Sequence, residues 1–197
     1  LLLGGSLLFY LFEKDHLLAD ASPLKSVLAS FFAAVTPRTA GYNTLPVGEL
    51  SQSSSLLTMI LMFIGGGTGS TAGGIKVTTF VVLAMTVLSS AQQKSQVSVF
   101  KRQLDPGITR QASAIASIYL AMILLCTLII CALQPYSLRD VLLEVVSAIG
   151  TVGLTAGITP VLDPISKLLL ILLMYGGRLG ALSLALAFAE RKDVVPL

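Results

Sequence analysis

Two short runs of threonine and glycine are the residues of this chain best suited to chemistry, and that chemistry is the coordination of a cation. They lie within TPRTAGYNT at residues 36–44 and GTVGLTAG at residues 150–157. Glycine at the third place of each run, Gly41 and Gly153, permits backbone angles that turn successive carbonyl oxygens the same way. A row of such oxygens can replace the hydration shell of a cation, as in potassium filters of the TVGYG type.

Five residues of each run form the predicted K+ site. The first run is Thr39, Ala40, Gly41, Tyr42 and Asn43, and the second run is Thr151, Val152, Gly153, Leu154 and Thr155. A threonine hydroxyl at the first place of each run can add a side-chain oxygen. The alternative is an ordinary turn between helices, since T-x-G-x is common by chance. Two runs in equivalent settings favour ion coordination over that alternative.

The composition predicts that these runs belong to a membrane protein. Hydrophobic residues make up 54% of the sequence and charged residues 12%, with a mean hydropathy of +0.87, whereas soluble domains have about 25% charged residues. The net charge of +3 is small and scattered, which argues against nucleic acid as a partner. The sequence has no Ser/His/Asp set, no paired carboxylates and no metal-ligand cluster. We therefore expect no enzymatic activity and no cofactor besides a transported ion.

Apolar stretches predict an all-α transmembrane fold in which helices position the runs. About 20 apolar residues in a helix cross a bilayer core. The predicted spans are residues 1–12, residues 54–88 with a glycine-rich interruption, residues 110–133 and residues 164–189. Because the first span is short and lacks the basic start of a signal peptide, we expect the chain to belong to a longer protein. The stretches 23–35 and 138–150 are too short to span and suit pore helices that enter the membrane and turn back.

The order of span, short helix, run and span occurs twice. The copies are residues 1–88 and residues 110–197, separated by a loop at 89–109. Ser26 corresponds to Asp140, Thr39 to Thr151, and Gly65–Gly66 to Gly176–Gly177. The offset between the copies falls from 114 to 111 residues, which we attribute to an insertion at Pro37–Arg38 in the first copy. Many membrane transport proteins are built from internal repeats of this kind.

Basic residues in the loops predict the orientation of the chain in the cell membrane. The loop 89–110 contains Lys94, Lys101, Arg102 and Arg110 with one acid, Asp105, and the C-terminus contains Arg191 and Lys192. Because cytoplasmic loops are enriched in lysine and arginine, we expect this loop and the C-terminus in the cytoplasm. Both short helices would then enter the membrane from outside.

The sequence GGGTGSTAGGIK at residues 65–76, the glycine loop, interrupts the second span. We expect a flexible loop that crosses a pore below the runs, because its glycines allow rearrangement and its oxygens suit a hydrated cation. Close packing against another helix is the alternative. A nucleotide-binding loop is disfavoured, since no strand precedes the glycines and no Gly-Lys-Ser/Thr is present.

Arg178 is the other unusual residue, because it lies near the middle of the span 164–189. An intramembrane arginine costs several kcal/mol and is functional by default. Its candidate partners are Glu144 and free carbonyls of the glycine loop. Facing the pore, its charge would oppose cations and hold the loop shut. Lys76 is expected either to act similarly or to reach the cytoplasmic interface, and Arg38 to brace the first short helix.

These residues resemble the Trk/Ktr/HKT superfamily of potassium transporters, and most of all the bacterial Ktr and Trk membrane subunits. The resemblance lies in TPRTAGYNT, GGGTGSTAGGIK, SAIGTVGLTAGITP and MYGGRLG and covers essentially the whole chain. It implies four repeats of span, pore helix, filter and span around one pore. Residues 1–88 would be the third repeat and residues 110–197 the fourth, so that the chain is the C-terminal half.

The resemblance also implies roles and partners. Potassium would be taken up through the filter, with sodium as a possible second ion, and the glycine loop would be the gate. The implied gating residues are Gly65, Gly66, Gly67, Thr68, Gly69, Ser70, Thr71, Ala72, Gly73, Gly74, Lys76 and Arg178. The implied surroundings are membrane lipid, a second copy in a homodimer, and cytoplasmic nucleotide-binding regulatory subunits of the RCK type.

Two other function classes stay open on the sequence. One is a secondary carrier for another cation or a small solute, with broken helices at a midplane site. The other is a structural membrane subunit with no permeation of its own. The carrier would need charged ligands for its solute, and Arg178 is the only clear midplane ion in the sequence.

Overall fold

The computed structural model describes residues 1–67, 69–92 and 106–179, together with the backbone of residues 98–99 and 102–103. Several residues named above lie outside this part of the chain. They are Thr68, Lys94, Lys101, Asp105, Arg191, Lys192 and residues 180–189 of the last predicted span.

The described residues form seven helices. These are α1 Leu2–Glu13, α2 Pro23–Val35, α3 Gln52–Phe63, α4 Val77–Ala91, α5 Pro106–Leu133, α6 Leu138–Ile149 and α7 Pro164–Leu179, with single 3-10 turns at Val47–Glu49 and Thr159–Val161. The prediction of an all-α fold is confirmed, with one small exception. Two short strands, β1 Ser98–Val99 and β2 Arg102–Gln103, pair antiparallel inside the loop between the copies.

The two short helices begin and end where their local sequence directs. Pro23 opens α2 at its first turn, where its missing N–H needs no partner. Ser137 caps α6, because its Oγ accepts a hydrogen bond of 3.2 Å from the N–H of Asp140, and such caps stabilise a helix by about 1 kcal/mol. The helices end at Val35 and Ile149, directly before the segments that contain the runs.

Several equivalent elements of the two predicted copies lie at the same offset. The first residues of the two 3-10 turns are 112 residues apart. The first residues of α3 and α7 are separated by the same number, and so are Thr39 and Thr151. The insertion at Pro37–Arg38 thus explains two residues of the drift. The remaining residue of the drift is Ile64, which has no counterpart in the second copy. α3 ends at Phe63, whereas α7 continues as a helix past Tyr175, the residue that corresponds to Phe63.

The core is centred on α6, the second short helix. Val141, Leu143, Val145 and Ile149 of this helix are fully buried, and α6 packs against α3, α5 and α7. Burying such side chains stabilises the fold by about 1.5–3 kcal/mol each. The second run therefore starts from a rigid support.

One helix in the described part of the chain is long and apolar enough to cross a membrane. It runs over Gly107–Leu133, and only 28% of its most apolar window is buried. The core helix of a soluble protein would be mostly buried, so the exposed apolar surface of α5 favours contact with lipid. The interrupted span predicted at 54–88 is two shorter apolar helices, α3 and α4.

Gly177 provides a test of the packing between α6 and α7, because a Cβ at this position would overlap the carbonyl oxygen of Ile149. We expect Gly177→Ala to separate the helices and to destabilise the purified full polypeptide by about 1–3 kcal/mol, measured as a lower Tm. Gly4→Ala in α1 is the control, since a Cβ at Gly4 meets no atom within 4 Å. Equal Tm values for the two variants would contradict this packing.

Candidate functional site

The two runs have the same alternating backbone. Thr39 and Gly41 have positive φ angles of 67° and 74°, and Thr151 and Gly153 have φ angles of 52° and 91°. The residues between them, Ala40 and Val152, do not have positive φ. Alternation of this kind turns successive peptide planes the same way round, which is the geometry that an aligned row of carbonyls requires.

Hydrogen bonds to the preceding helix determine which way the carbonyls of the first run point. The N–H groups of Ala40 and Gly41 both donate to the carbonyl oxygen of Thr36, at 3.1 and 3.4 Å. In a trans peptide the N–H and the preceding carbonyl point in opposite directions. The carbonyls of Thr39 and Ala40 are therefore directed away from α2.

The second run is held in the same manner at the end of α6. The N–H of Val152 donates to the Ser147 carbonyl oxygen at 2.9 Å, and the N–H of Gly153 donates to Ser147 Oγ at 3.2 Å. The carbonyls of Thr151 and Val152 consequently point away from α6.

The structure brings the two runs side by side. A Cβ at Gly41 would overlap the carbonyl oxygen of Val152, and a Cβ at Gly153 would lie 3.9 Å from the Cα of Gly41. A cavity of about 450 Å³ runs along all five residues of the second run and is also lined by Leu170 and Met174 of α7, but by no residue of the first run. Two chain segments 112 residues apart are thus adjacent at Gly41 and Val152.

Some oxygens of the predicted site already have partners within the protein. The carbonyl of Tyr42 accepts a hydrogen bond from Thr36 Oγ1, which directs it back towards the end of α2. Thr155 Oγ1 contacts Glu144 Oε1, Thr159 Oγ1 and the N–H of Gly157. These two oxygens are less available to a cation than the carbonyls of Thr39, Ala40, Thr151 and Val152.

Glu144 belongs to this region, although we considered it from the sequence only as a partner for Arg178. Its carboxylate is buried and accepts hydrogen bonds from Thr155 Oγ1, from the N–H of Ala156 and from Thr159 Oγ1. The sequence signal for this residue was an acid among apolar residues, after the charged first turn that contains Arg139 and Asp140.

The two ends of the glycine loop lie side by side, one at the end of α3 and the other at the start of α4. The N–H of Gly65 donates to the Ile75 carbonyl at 2.8 Å, and the N–H of Ile75 donates to the Phe63 carbonyl at 2.9 Å. Residues 72–75 are buried, whereas residues 69–71 are exposed. One limb of the loop is therefore packed inside the protein, whereas its tip, residues 69–71, is exposed.

Three basic side chains bind backbone carbonyls of this loop or its base. Arg178 Nη1 donates to Thr71 O at 3.3 Å, and Lys76 Nζ donates to Ser70 O and Ala72 O at 2.6 and 2.7 Å. Arg38 donates to Ile64 O and Gly65 O and so braces the end of α3. We had expected it to brace the first short helix, α2. Arg178 thus contacts the loop, which was one of its two candidate partners.

The glycine loop also touches the second run. The N–H of Gly73 donates to Thr151 Oγ1 at 3.0 Å, and a Cβ at Gly73 would come within 2.9 Å of the Gly150 carbonyl. The hydroxyl that we expected to add an ion ligand therefore holds the loop in this structure. The sequence did not indicate this contact, because the two residues are 78 positions apart.

Comparison with known proteins extends these observations. A family model described as TrkH, cation transport protein, matches residues 6–194. The chain is 38% identical over 165 residues to the Ktr system potassium uptake protein B of Bacillus subtilis, covering 84% of this chain and 37% of that protein. It is 35% identical over 198 residues to the potassium/sodium uptake protein NtpJ of Enterococcus hirae, covering 98% of this chain and 44% of that protein.

The fold is similar to that of a solved structure. The crystal structure of the potassium transporter TrkH from Vibrio parahaemolyticus matches with a TM-score of 0.80 at 20% identity, over 94% of this chain and 42% of that chain. At this identity the likeness concerns the fold alone. The chain spans about two-fifths of the length of the curated relatives it matches.

The glycines of the runs provide a paired test of this geometry. Alanine at either Gly41 or Gly153 adds strain of about 1–2 kcal/mol, because both have positive φ. Only at Gly41 would the new Cβ also overlap the Val152 carbonyl oxygen. We expect Gly41→Ala to lower the Tm of the purified full polypeptide clearly more than Gly153→Ala. Equal shifts would contradict the close approach of the two runs.

Proposed function

Because this chain belongs to the TrkH family of cation transport proteins, we propose that it forms part of a pore for the uptake of potassium ions across the cell membrane. The observation on which this depends is the pair of adjacent runs whose N–H groups are bonded to helix ends. The carbonyls of the same peptide groups point away from the helices, and in the proposed pore they would form a row along the ion path. Oxygens in such a row can substitute for the water around a potassium ion.

The short helices support cation binding electrostatically. α2 and α6 both end directly before a run, and the C-terminal end of a helix has a partial negative charge. Two such ends directed at one region favour a cation over an anion. The names of the relatives include sodium as well as potassium, so the proposal includes sodium as a second permeant ion.

Two exposed faces suggest how the pore would be completed. Val27 and Phe31 on α2 are 56% and 44% exposed, whereas their counterparts Val141 and Val145 on α6 are fully buried. Likewise Met62 on α3 is buried, whereas its counterpart Met174 on α7 is exposed. Within this chain α3 packs against α6, so α2 and α7 each present the unpaired half of the same interface.

Two further repeats of the same kind would pair with these faces and close a ring of four. The curated relatives are long enough to contain such repeats, since this chain matches about two-fifths of their length. In this ring, residues 1–88 would be the third repeat and residues 110–197 the fourth. The loop 89–110 and the C-terminus would lie in the cytoplasm.

The proposed partners follow from the family. A second copy would form a homodimer with one pore per subunit, and nucleotide-binding subunits of the RCK type would dock on the cytoplasmic loops. The name of one relative, Ktr system potassium uptake protein B, describes a component of a larger system.

Uptake of radioactive rubidium into liposomes that contain the full polypeptide tests the proposed function. We expect rapid uptake that unlabelled potassium reduces by competition, because both ions fit the same carbonyl row. Gly153→Val should abolish it, since a β-branched residue does not tolerate positive φ, and Gly4→Ala should not. Slow uptake that saturates and depends on an organic solute would favour a carrier, and no uptake would contradict the proposal.

The glycine loop is the proposed gate of this pore. Its contact with Thr151 sets it against the second run, and Arg178 binds its exposed tip through Thr71 O. Removing the arginine would release the tip and also remove a positive charge from the region of the pore. Both changes favour entry of a cation.

We expect Arg178→Gln, or removal of part of residues 66–74, to raise rubidium uptake several-fold over the wild-type rate. Lys167→Gln is the control, because Lys167 is also on α7 and its Nζ donates to a carbonyl, that of Pro160 at 2.8 Å, far along the helix from the loop. Reduced uptake of well-folded Arg178→Gln protein would indicate a structural role for the arginine and contradict the gate.

A further inference from the structure

One buried acid lies directly behind the second run and has no part in the function proposed so far. Glu144 is 5% exposed, and both of its carboxylate oxygens are in contact with the segment that follows the run. Oε1 accepts from Thr155 Oγ1 and from the N–H of Ala156 at 3.1 Å, and Oε2 accepts from Thr159 Oγ1 at 2.6 Å. We infer that Glu144 is a positioning residue that raises the affinity of the second run for its cation.

The charge of Glu144 is not neutralised by a basic side chain. Within the described residues, no lysine or arginine forms a salt bridge with it. A buried carboxylate is costly unless it is paired or fully hydrogen-bonded, and here three donors satisfy it. Hydrogen bonds from neutral groups stabilise the carboxylate but leave its net negative charge, so a cation held by the carbonyls of the second run is attracted by it.

The carboxylate lies beside the second run. Glu144 and all five residues of that run line one cavity, which is also lined by Leu170 and Met174 of α7 and by no residue of the first run. It also holds the last residue of the run, because Thr155 Oγ1 is engaged by Glu144 and by the N–H of Gly157. The acid thus fixes the end of the run and adds negative charge beside it.

The first copy lacks this arrangement. The offset of 114 residues aligns Glu144 with Ser30, whose Oγ donates to Ser26 O at 2.8 Å within its own helix. The acid is therefore not a general requirement for a run to follow a short helix. Its presence behind only one of the two runs favours a role in ion affinity over a role in folding.

Glu144→Gln separates the charge from the hydrogen bonds. The Gln Oε1 can accept from Thr155 and Ala156 as the carboxylate does, and its NH2 can donate to the Thr159 hydroxyl. The shape is kept and the charge is lost. Glu13→Gln is the matched control, because Glu13 is also fully buried and accepts from a backbone N–H, that of Ser51 at 2.8 Å, but does not line the cavity along the second run.

Binding is measured as the rubidium concentration that gives half of the maximal thermal stabilisation of the purified full polypeptide. We expect Glu144→Gln to raise this concentration about three- to tenfold, as the loss of one nearby charge predicts, and Glu13→Gln to leave it unchanged. The ratio of the rubidium and sodium values should stay constant, since a charge does not discriminate between the two ions. An unchanged concentration in Glu144→Gln would overturn the inference.

A second variant keeps the inference testable if Glu144→Gln does not fold. Glu144→Asp retains the charge, and its half-stabilising rubidium concentration should stay within about twofold of the wild-type value. A tenfold rise in that variant would contradict a role for charge. The inference rests on the proposed cation site, but binding is measured without flux. Loss of rubidium uptake would therefore reject the pore alone.

Discussion

The rest of this structure depends on one constraint, the need of peptide N–H groups for partners where water is scarce. In each run the N–H groups are satisfied by the end of the preceding short helix, through Thr36 in the first copy and Ser147 in the second. Because a planar trans peptide directs its carbonyl the opposite way, this anchoring turns the carbonyls of Thr39, Ala40, Thr151 and Val152 away from the short helices. Carbonyl oxygens without a partner are costly in hydrocarbon, so carbonyls turned this way need water, a cation or another chain segment beside them.

The duplication of one structural unit supports two different uses of the same position. Both copies follow the same plan as far as Phe63 and Tyr175, where the second copy continues as helix α7. The first copy leaves the helix at Ile64 and forms the glycine loop. Continuing the helix positions Arg178 so that its side chain reaches Thr71 in that loop. The same position is thus a loop in one copy and part of the helix that contains Arg178 in the other.

Several charged side chains of the described residues bind backbone groups, although Glu13 also pairs with His16 at 3.2 Å. Lys76, Arg38 and Arg178 each donate to carbonyls of the glycine loop or its base. Glu144 and Glu13 each accept from backbone N–H groups. A charged group that is hydrogen-bonded only to neutral groups keeps its net charge, whereas a salt bridge neutralises most of that charge. The described charges near the glycine loop are therefore basic, and the charge beside the second run is that of Glu144.

The sequence alone indicated the helices and the glycines at which positive φ is tolerated, Gly41 and Gly153, because apolar length, capping residues and glycine act over a few neighbouring positions. The range predicted for the first short helix, 23–35, is that of α2. Only the tertiary structure decided that Thr39 and Thr151 also take positive φ, that Thr151 binds the glycine loop, and that Glu144 supports Thr155 and not Arg178. These outcomes depend on distances between segments up to 107 residues apart, and such distances follow from how helices pack, which no local pattern of residue types records.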